Sequence, residues 1–420
     1  MRSISDSGPI AIFSEDRPSL RHLTNVRWGL LVAAILLSLI GIITVHSASS
    51  EMATDYWPRQ ALWVGIGMVA FLIALALDHQ ALSQFSGAIY ALGLALLVLV
   101  LFVGQERDAR FRPAARTNLL HLSGDAKYLD AFHAQLDSWF EQCPYLLGPN
   151  WTSSLELGIR LINWSICWQL VGERQSPLFD GAAGEAFLRR WLDSIYQHCH
   201  FIAGHWSRYS SANNHLIGEA AGLLVGAITW PYWRDSARWR NSAFDVLSRE
   251  AQRQTCSDGV NREQAISYQQ FVFDFLLIAG FAARAQGQDF SAGYWNNIER
   301  MIEFIASVMD CAGQVPMIGD ADDGYAVALS READFCPYRS MLNTGAVLFE
   351  RPGLTAKAGR ADDKTRWLLG DGPGLPEAHR GPASQKPVRT AFPEGGYYIL
   401  GSDYGTGDEI RMVADAGPLG

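Results

Sequence analysis

Apolar and polar positions follow three textures along this chain. The segments Trp28 to Val45, Ala61 to Leu77 and Phe85 to Val103 contain no charged residue. Each is close to the length that spans a bilayer core at the rise of an α-helix. A signal peptide would be a single shorter run, and soluble helices would have to be apolar on every face three times in succession. The pattern predicts three transmembrane helices within residues 1–105. Arg17, Arg21 and Arg27 before the first span favour a cytoplasmic N-terminus, whereas Arg107, Arg110, Arg112 and Arg116 beyond the third argue the other way.

After Gln105 the chain turns charged within a few residues, without a Pro/Gly/Ser linker, and reads as a fusion junction. From about Thr117 to about Leu342 apolar residues recur at helical spacing. Leu129, Phe132, Leu136 and Phe140 form one stripe. Leu155, Ile159, Ile162 and Ile166 form a second, and Phe187, Leu192 and Ile195 a third. The stretches HLIGEAAGLLVGAI, FDVLSREAQRQ, AISYQQFVFDFLLIAGFAAR and NNIERMIEFIASVMD continue the pattern. Short connections between such helices predict antiparallel neighbours.

Toward the C-terminus, TGAVLFERPG, TRWLLGDG, GGYYILGSD and EIRMVADAGPLG are short apolar-aromatic runs broken by Gly, Pro and charge. They are expected to be strands. Four strands are too few to close a sandwich, so the sheet is expected to be incomplete at Gly420. The expected order is a membrane segment at 1–105, a helical domain at 106–345 and the start of a β-domain at 346–420.

A net charge of −9 over 420 residues gives no basic field, which argues against a nucleic-acid partner. The six cysteines are scattered with no CxxC pair, which argues against zinc ribbons and dithiol redox sites.

Candidate chemistry gathers in SSANNHLIGEAAGL, where Asn213, Asn214 and His215 stand before a helical pattern. Two asparagines at a helix mouth make good caps, with His215 in the first turn and Glu219 four residues on. A catalytic reading fits the same residues equally well. Tyr268 lies in the stripe Ile266, Phe271, Phe275 and by itself reads as a core aromatic; Glu263 and Gln264 by themselves read as a solvated helix face. His215 and Glu219 have helical metal-ligand spacing, but two groups make an incomplete site. GDADDG (319–324) lacks the glycine and glutamate positions of a calcium loop and reads as a tight turn. No metal site and no cofactor is expected in this chain.

Several motifs together resemble one family. NWTSSLELGIRLINW, SSANNHLIGEAAGL, DGVNREQAISYQQF and PMIGDADDG stand in the order and spacing of the heparinase II/III-like polysaccharide lyases. FPEGGYYIL resembles the opening strand of that family's β-domain, and the resemblance covers about residues 115–420. It implies a mainly α fold: an incomplete (α/α) toroid, then the first strands of a truncated antiparallel β-sandwich. It also implies cleavage of uronic-acid glycans by β-elimination.

That reaction removes the C5 proton α to a carboxylate and expels the 4-O-linked sugar. It needs donors that neutralise the carboxylate, a base and an acid. The resemblance implies His215 and Tyr268 as the proton-transfer residues and Asn214 on the carboxylate. Asn213, Glu263, Gln264 and Arg208 are expected to contribute to substrate binding. A phenol is a weak base at its ordinary pKa, so positive charge must activate Tyr268; Arg208 and Arg262 are near it in sequence. The family's His-rich motif, a source of a further catalytic or zinc-binding histidine, would follow ADAGPLG (414–420). The first toroid helices are expected to be replaced by the membrane spans.

Residues from about 20 to 105 resemble the start of the SEDS glycan polymerases of rod-shape maintenance and cell division, through LLSLIGIITVHSASS and YWPRQALWVGIGMVAFLIALALD. The combined expectation is a lyase tethered to a bacterial inner membrane, its body periplasmic or extracellular. Its expected partners are an acidic polysaccharide and the membrane. The alternative is a non-catalytic glycan-binding or cell-envelope membrane component.

Overall fold

The computed structural model describes residues 35–43, 57–76, 125–320, 324–370 and 389–417. The chain divides into two compact units, Met1–Ala109 and Arg110–Gly420. In the first unit, residues 35–43 form helix α1 and Trp57–Ala76 form α2. Both turn large apolar side chains outward, among them Leu37, Ile43, Leu62 and Trp63. Helix α1 lies inside the run at 28–45, and α2 starts ahead of the run at 61–77. The third expected span, 85–103, lies outside the described residues. Among the described residues, the one helix long and apolar enough to cross a membrane is Ile266–Ala285. It is 83% buried inside the second unit and is a core helix there.

The second unit is mainly helical. Helices α3 (Lys127–Gln142), α4 (Ser154–Leu170), α5 (Gly181–Gly204) and α6 (Asn214–Thr229) are followed by α7 (Ser236–Arg253), α8 (Ile266–Ala285) and α9 (Ala292–Val308). These occupy the stretches where apolar stripes recur. Ser153 opens α4 by accepting from the Glu156 N–H, and Ser291 opens α9 by accepting from that of Tyr294.

Helix α6 lies at the centre, packed by α4, α7 and α8. It is buried without a break from Leu216 through Ala227, which is why its sequence is apolar on every face apart from Glu219. Glycines bring it onto α4. A Cβ on Gly222 would lie 2.2 Å from Gly158 Cα, and one on Gly158 would lie 2.6 Å from Gly218 O. Backbone resting on backbone at this crossing fixes the position of α6.

The described residues between α9 and Pro337 are loops rather than a continuation of the helices. Beyond them, two segments expected as strands prove helical. TGAVLFERPG overlaps α10 (Pro337–Leu348), and TRWLLGDG overlaps α12 (Asp363–Leu369), which follows the single turn α11 (Thr355–Ala358). Pro337 sits in the first turn of α10, where its missing N–H is not needed, and Asp362 caps α12 by accepting from Thr365 N–H. Helix α10 is buried continuously from Ser340 to Ala346, so no polar period marks it as a helix.

Helix α12 is tied to α8 by a buried ion pair. Lys364 Nζ stands 2.5 and 2.6 Å from the two oxygens of Asp274, and Gln270 donates to the same carboxylate at 2.6 Å. Burial raises the Asp274 pKa, while Lys364 opposes the rise.

The remaining runs are strands as expected. β1 (Ala391–Phe392), β2 (Tyr397–Ser402) and β3 (Ile410–Asp415) form an antiparallel sheet in that order, with Ile399 opposite Val413. Phe392, Tyr397 and Ile399 face inward, and the two aromatic rings each stand 5.1 Å from Phe304 of α9. Tyr398, Leu400, Ile410 and Met412 face outward.

Candidate functional site

The candidate motif sits where two helices begin. Asn213 caps α6, its Oδ1 accepting from the His215 N–H at 3.1 Å. Asn214, the first residue of the helix, is buried. Its backbone N–H donates to Glu263 Oε1 at 2.9 Å and its side-chain Nδ2 to Glu263 Oε2 at 2.7 Å. Because a carboxylate only accepts, the amide nitrogen of Asn214 is turned toward Glu263. One amide N–H and Oδ1 remain for another partner.

Glu263 lies three residues ahead of the first residue of α8, so this grip brings the starts of α6 and α8 together. Tyr268 is the third residue of α8 and is half-buried. The His215 imidazole is exposed and makes no hydrogen bond among the described residues. Burial raises the Glu263 pKa above the ordinary glutamate value, opposed by the two Asn214 hydrogen bonds and by His215.

The loop carrying Glu263 is anchored from α8. Gln269 accepts the Asn261 N–H at 2.7 Å and donates to Gly259 O at 2.7 Å, and Asn261 Oδ1 accepts the Glu263 N–H at 2.9 Å. Gln264 adopts a φ of +55°, left-handed backbone that is strained for a residue with a side chain. Its carbonyl accepts from the Tyr397 hydroxyl at 3.3 Å, so strand β2 braces the loop. Gly319 (φ +77°) abuts the same carbonyl, and a Cβ there would come within 2.4 Å of it. Ser267 Oγ donates to Asp320 O at 2.5 Å. The described part of GDADDG therefore packs on the start of α8; residues 321–323 lie outside the described residues. The Gln264 Oε1 is buried with no hydrogen-bond partner among the described residues.

Arg208 is exposed and joins no ion pair among the described residues. Its loop is fastened beside it: the Ser207 N–H and Oγ donate to Glu219 Oε2 and Oε1 at 2.8 and 2.6 Å. Glu219 is fully buried, and burial raises its pKa against the pull of Ser207. It therefore does not face His215 across a helical turn, and both the surface-pair and the metal-pair readings of these two residues fall. Among the described residues no group of three or more His, Cys, Asp or Glu is placed to hold a metal. Arg262 lines a cavity of about 380 Å³.

Of the candidates, Asn213, Asn214, His215, Glu263, Gln264 and Tyr268 thus lie on two adjoining helix starts, with Arg208 on the loop leading into the first. Glu263, expected at the substrate, uses both carboxylate oxygens on Asn214. Sequence reasoning passed over Ser207, Asn261 and Gln269, which hold the two loops. They stand in polar stretches without periodicity, and no local pattern singles them out.

Residues 106–340 match the family described as "Heparinase II/III N-terminus", and residues 27–110 match that described as "Cell cycle protein", of the FtsW/RodA/SpoVE group. The chain is 29% identical over 208 residues to a heparin-sulfate lyase of Pedobacter heparinus, covering 48% of this chain and 30% of that one. It is also 31% identical over 92 residues to a probable peptidoglycan glycosyltransferase FtsW of Geobacter metallireducens, covering 20% of this chain and 24% of that one. A crystal structure of heparinase III shares the fold with a TM-score of 0.50 at 18% identity, covering 72% of this chain and 43% of that one. The chain spans less than half the length of the curated lyases it matches.

Proposed function

The chain belongs to the heparinase II/III family, and on that premise we propose that its second unit is a polysaccharide lyase cleaving uronic-acid-containing glycans by β-elimination. The observation that carries this reading is the grip of Glu263 on Asn214, which joins the starts of α6 and α8. The backbone N–H groups of Asn214, His215 and Ile266 are already bonded within the protein, so what the adjoining starts of α6 and α8 offer an anionic group is the positive ends of two helix dipoles. A substrate carboxylate there would meet the remaining Asn214 N–H. Neutralised in this way, it could accept the charge that develops when the C5 proton leaves.

His215 and Tyr268 serve as the proton-transfer residues. One takes the C5 proton, the C5–H electron pair becomes the C4=C5 double bond, and the C4–O bond breaks. The other protonates the departing oxygen. In this reading Arg208 and Gln264 contact the flanking sugar, the helices form an incomplete (α/α) toroid, and β1–β3 begin a β-sandwich.

We also propose that residues 1–105 tether this body to a bacterial inner membrane through three spans, with the body outside the cytoplasm. The outward apolar side chains of α1 and α2 support this, since water disfavours such surfaces and lipid accepts them. The same feature favours a second reading, a cell-envelope membrane component that binds glycan without cutting it.

The test is to incubate the full chain in detergent with heparan sulfate, hyaluronan and alginate, and to follow the ultraviolet absorbance of a 4,5-unsaturated product. Appearance of that product, lowered about a hundredfold or more in Tyr268→Phe, is the expected result. Binding without any unsaturated product from any of these glycans would favour the second reading.

A further inference from the structure

Consecutive residues of the loop ahead of α8 serve different sites. Glu263 holds Asn214, whereas Arg262 lines the cavity of about 380 Å³ together with Thr255, Asn296, Asn297, Arg300 and Glu394. That volume has room for about one substituted sugar ring.

Its lining is that of an oxyanion receptor. Two arginines, Arg262 and Arg300, line it with a single acidic residue, Glu394, and none of the three joins an ion pair among the described residues. Arg300 Nη1 donates to Ser257 O at 3.0 Å, which steadies that guanidinium and leaves its other N–H groups available. Thr255 is 3% exposed, and its buried hydroxyl has no hydrogen-bond partner among the described residues. Asn297 is held by its Nδ2 donating to Ala251 O at 3.1 Å. Planar guanidinium forks match carboxylate and sulfate oxygens in pairs, better than any neutral sugar group does.

We propose that this cavity is an anion subsite, taking a sulfate or carboxylate of an acidic glycan whose neighbouring residues occupy the start of α6. The identity of the ligand rests on the lyase reading above; the anion preference rests on the lining alone. Adjacent Cα atoms are about 3.8 Å apart, so Arg262 and Glu263 couple the subsite to the Asn214 end through one peptide unit.

The experiment measures the affinity of the full chain in detergent, by calorimetry, for a sulfated heparin oligosaccharide and for its desulfated counterpart of equal length. Arg262→Gln should weaken binding about tenfold, or about 1.4 kcal/mol. Arg262→Gln with Arg300→Gln should weaken it further. Glu394→Gln should tighten it, a change of sign that damage to the fold would not produce. Arg189→Gln, an exposed charge removed from α5, should leave affinity as it was. A loss confined to the sulfated ligand assigns the sulfate to the cavity, and an equal loss on both ligands assigns the carboxylate.

Equal weakening by Arg189→Gln, or wild-type affinity in the Arg262 and Arg300 variants, would overturn the subsite. Variants that weaken binding of a glycan the protein never cleaves would leave the subsite standing and remove the lyase reading. Normal cleavage with unchanged affinity in the variants would do the reverse.

Discussion

Asn214 and Glu263 stand 49 positions apart in the chain, and they meet through two hydrogen bonds at 2.9 and 2.7 Å. In Glu263→Gln one acceptor becomes an amide donor facing the Asn214 N–H groups. A buried donor left unpaired costs about 1–3 kcal/mol, so kcat/KM should fall about ten- to a hundredfold.

The pH response has a definite sign. Burial raises the Glu263 pKa, so lowering the pH protonates it early and turns one of the two oxygens that hold Asn214 into a hydroxyl. Activity should therefore fall on the acid side with a midpoint above the ordinary glutamate range, and that limb should vanish in Glu263→Gln. Folding stability moves the other way. A carboxyl with a raised folded-state pKa binds its proton more tightly when folded, so its stabilisation is present below the unfolded pKa and is lost as pH rises through the raised one. A rate profile and thermal midpoints across that window check both slopes; an acid limb unchanged in Glu263→Gln would remove Glu263 from its positioning role.

The Asn-Asn-His run was legible in the sequence because cap residues stand directly before an apolar helix. Glu263's role was not, because a contact across 49 residues leaves no trace in local spacing.

At the level of elements, the stripes in α3 and α5 were visible because each of these helices has one wet face and one buried face, whereas α4 is buried on nearly all sides. Helices α10 and α12 were misread as strands. The first is buried on all sides over Ser340–Ala346, and the second is only seven residues long, so neither offers enough turns for a 3.6-residue period to show. Their start signals, Pro337 and Asp362, were the more informative marks. Helix α12 packs Trp367 and Leu368 against the core and is tied to α8 by the buried ion pair. Lys364→Met would leave Asp274 buried without its cation, at a cost of about 3–5 kcal/mol. Adding Asp274→Asn should recover most of that loss. Denaturant unfolding of the two variants checks it, and a single variant as stable as wild type would show that the pair contributes little.

Over the whole molecule, the two units differ in what their surfaces do with apolar side chains. The second unit buries them around α6 and α8, whereas α1 and α2 present Leu37, Ile43, Leu62 and Trp63 outward. If residues 1–105 are a tether, the full chain should stay in the membrane fraction through an alkaline carbonate wash. Release into the supernatant would dissociate the lyase proposal from the membrane proposal without harming the former. The change of texture at Gln105 was legible because composition shifts there within a few residues.

The bare crossing of Gly158, Gly218 and Gly222 beneath α6 bears on how such a protein can diversify. With no side chain between the two backbones there is no compressible layer to absorb a substitution. A methyl group at Gly158 or Gly222 would displace the helix as a body and carry its mouth along with it, whereas one at Gly218 would press on the side chains of Leu155 and Phe275. Descendants adapting to new glycans are therefore expected to vary the surrounding loops freely while Gly158 and Gly222 stay frozen, a constraint imposed from the far side of the helix rather than by anything the substrate touches.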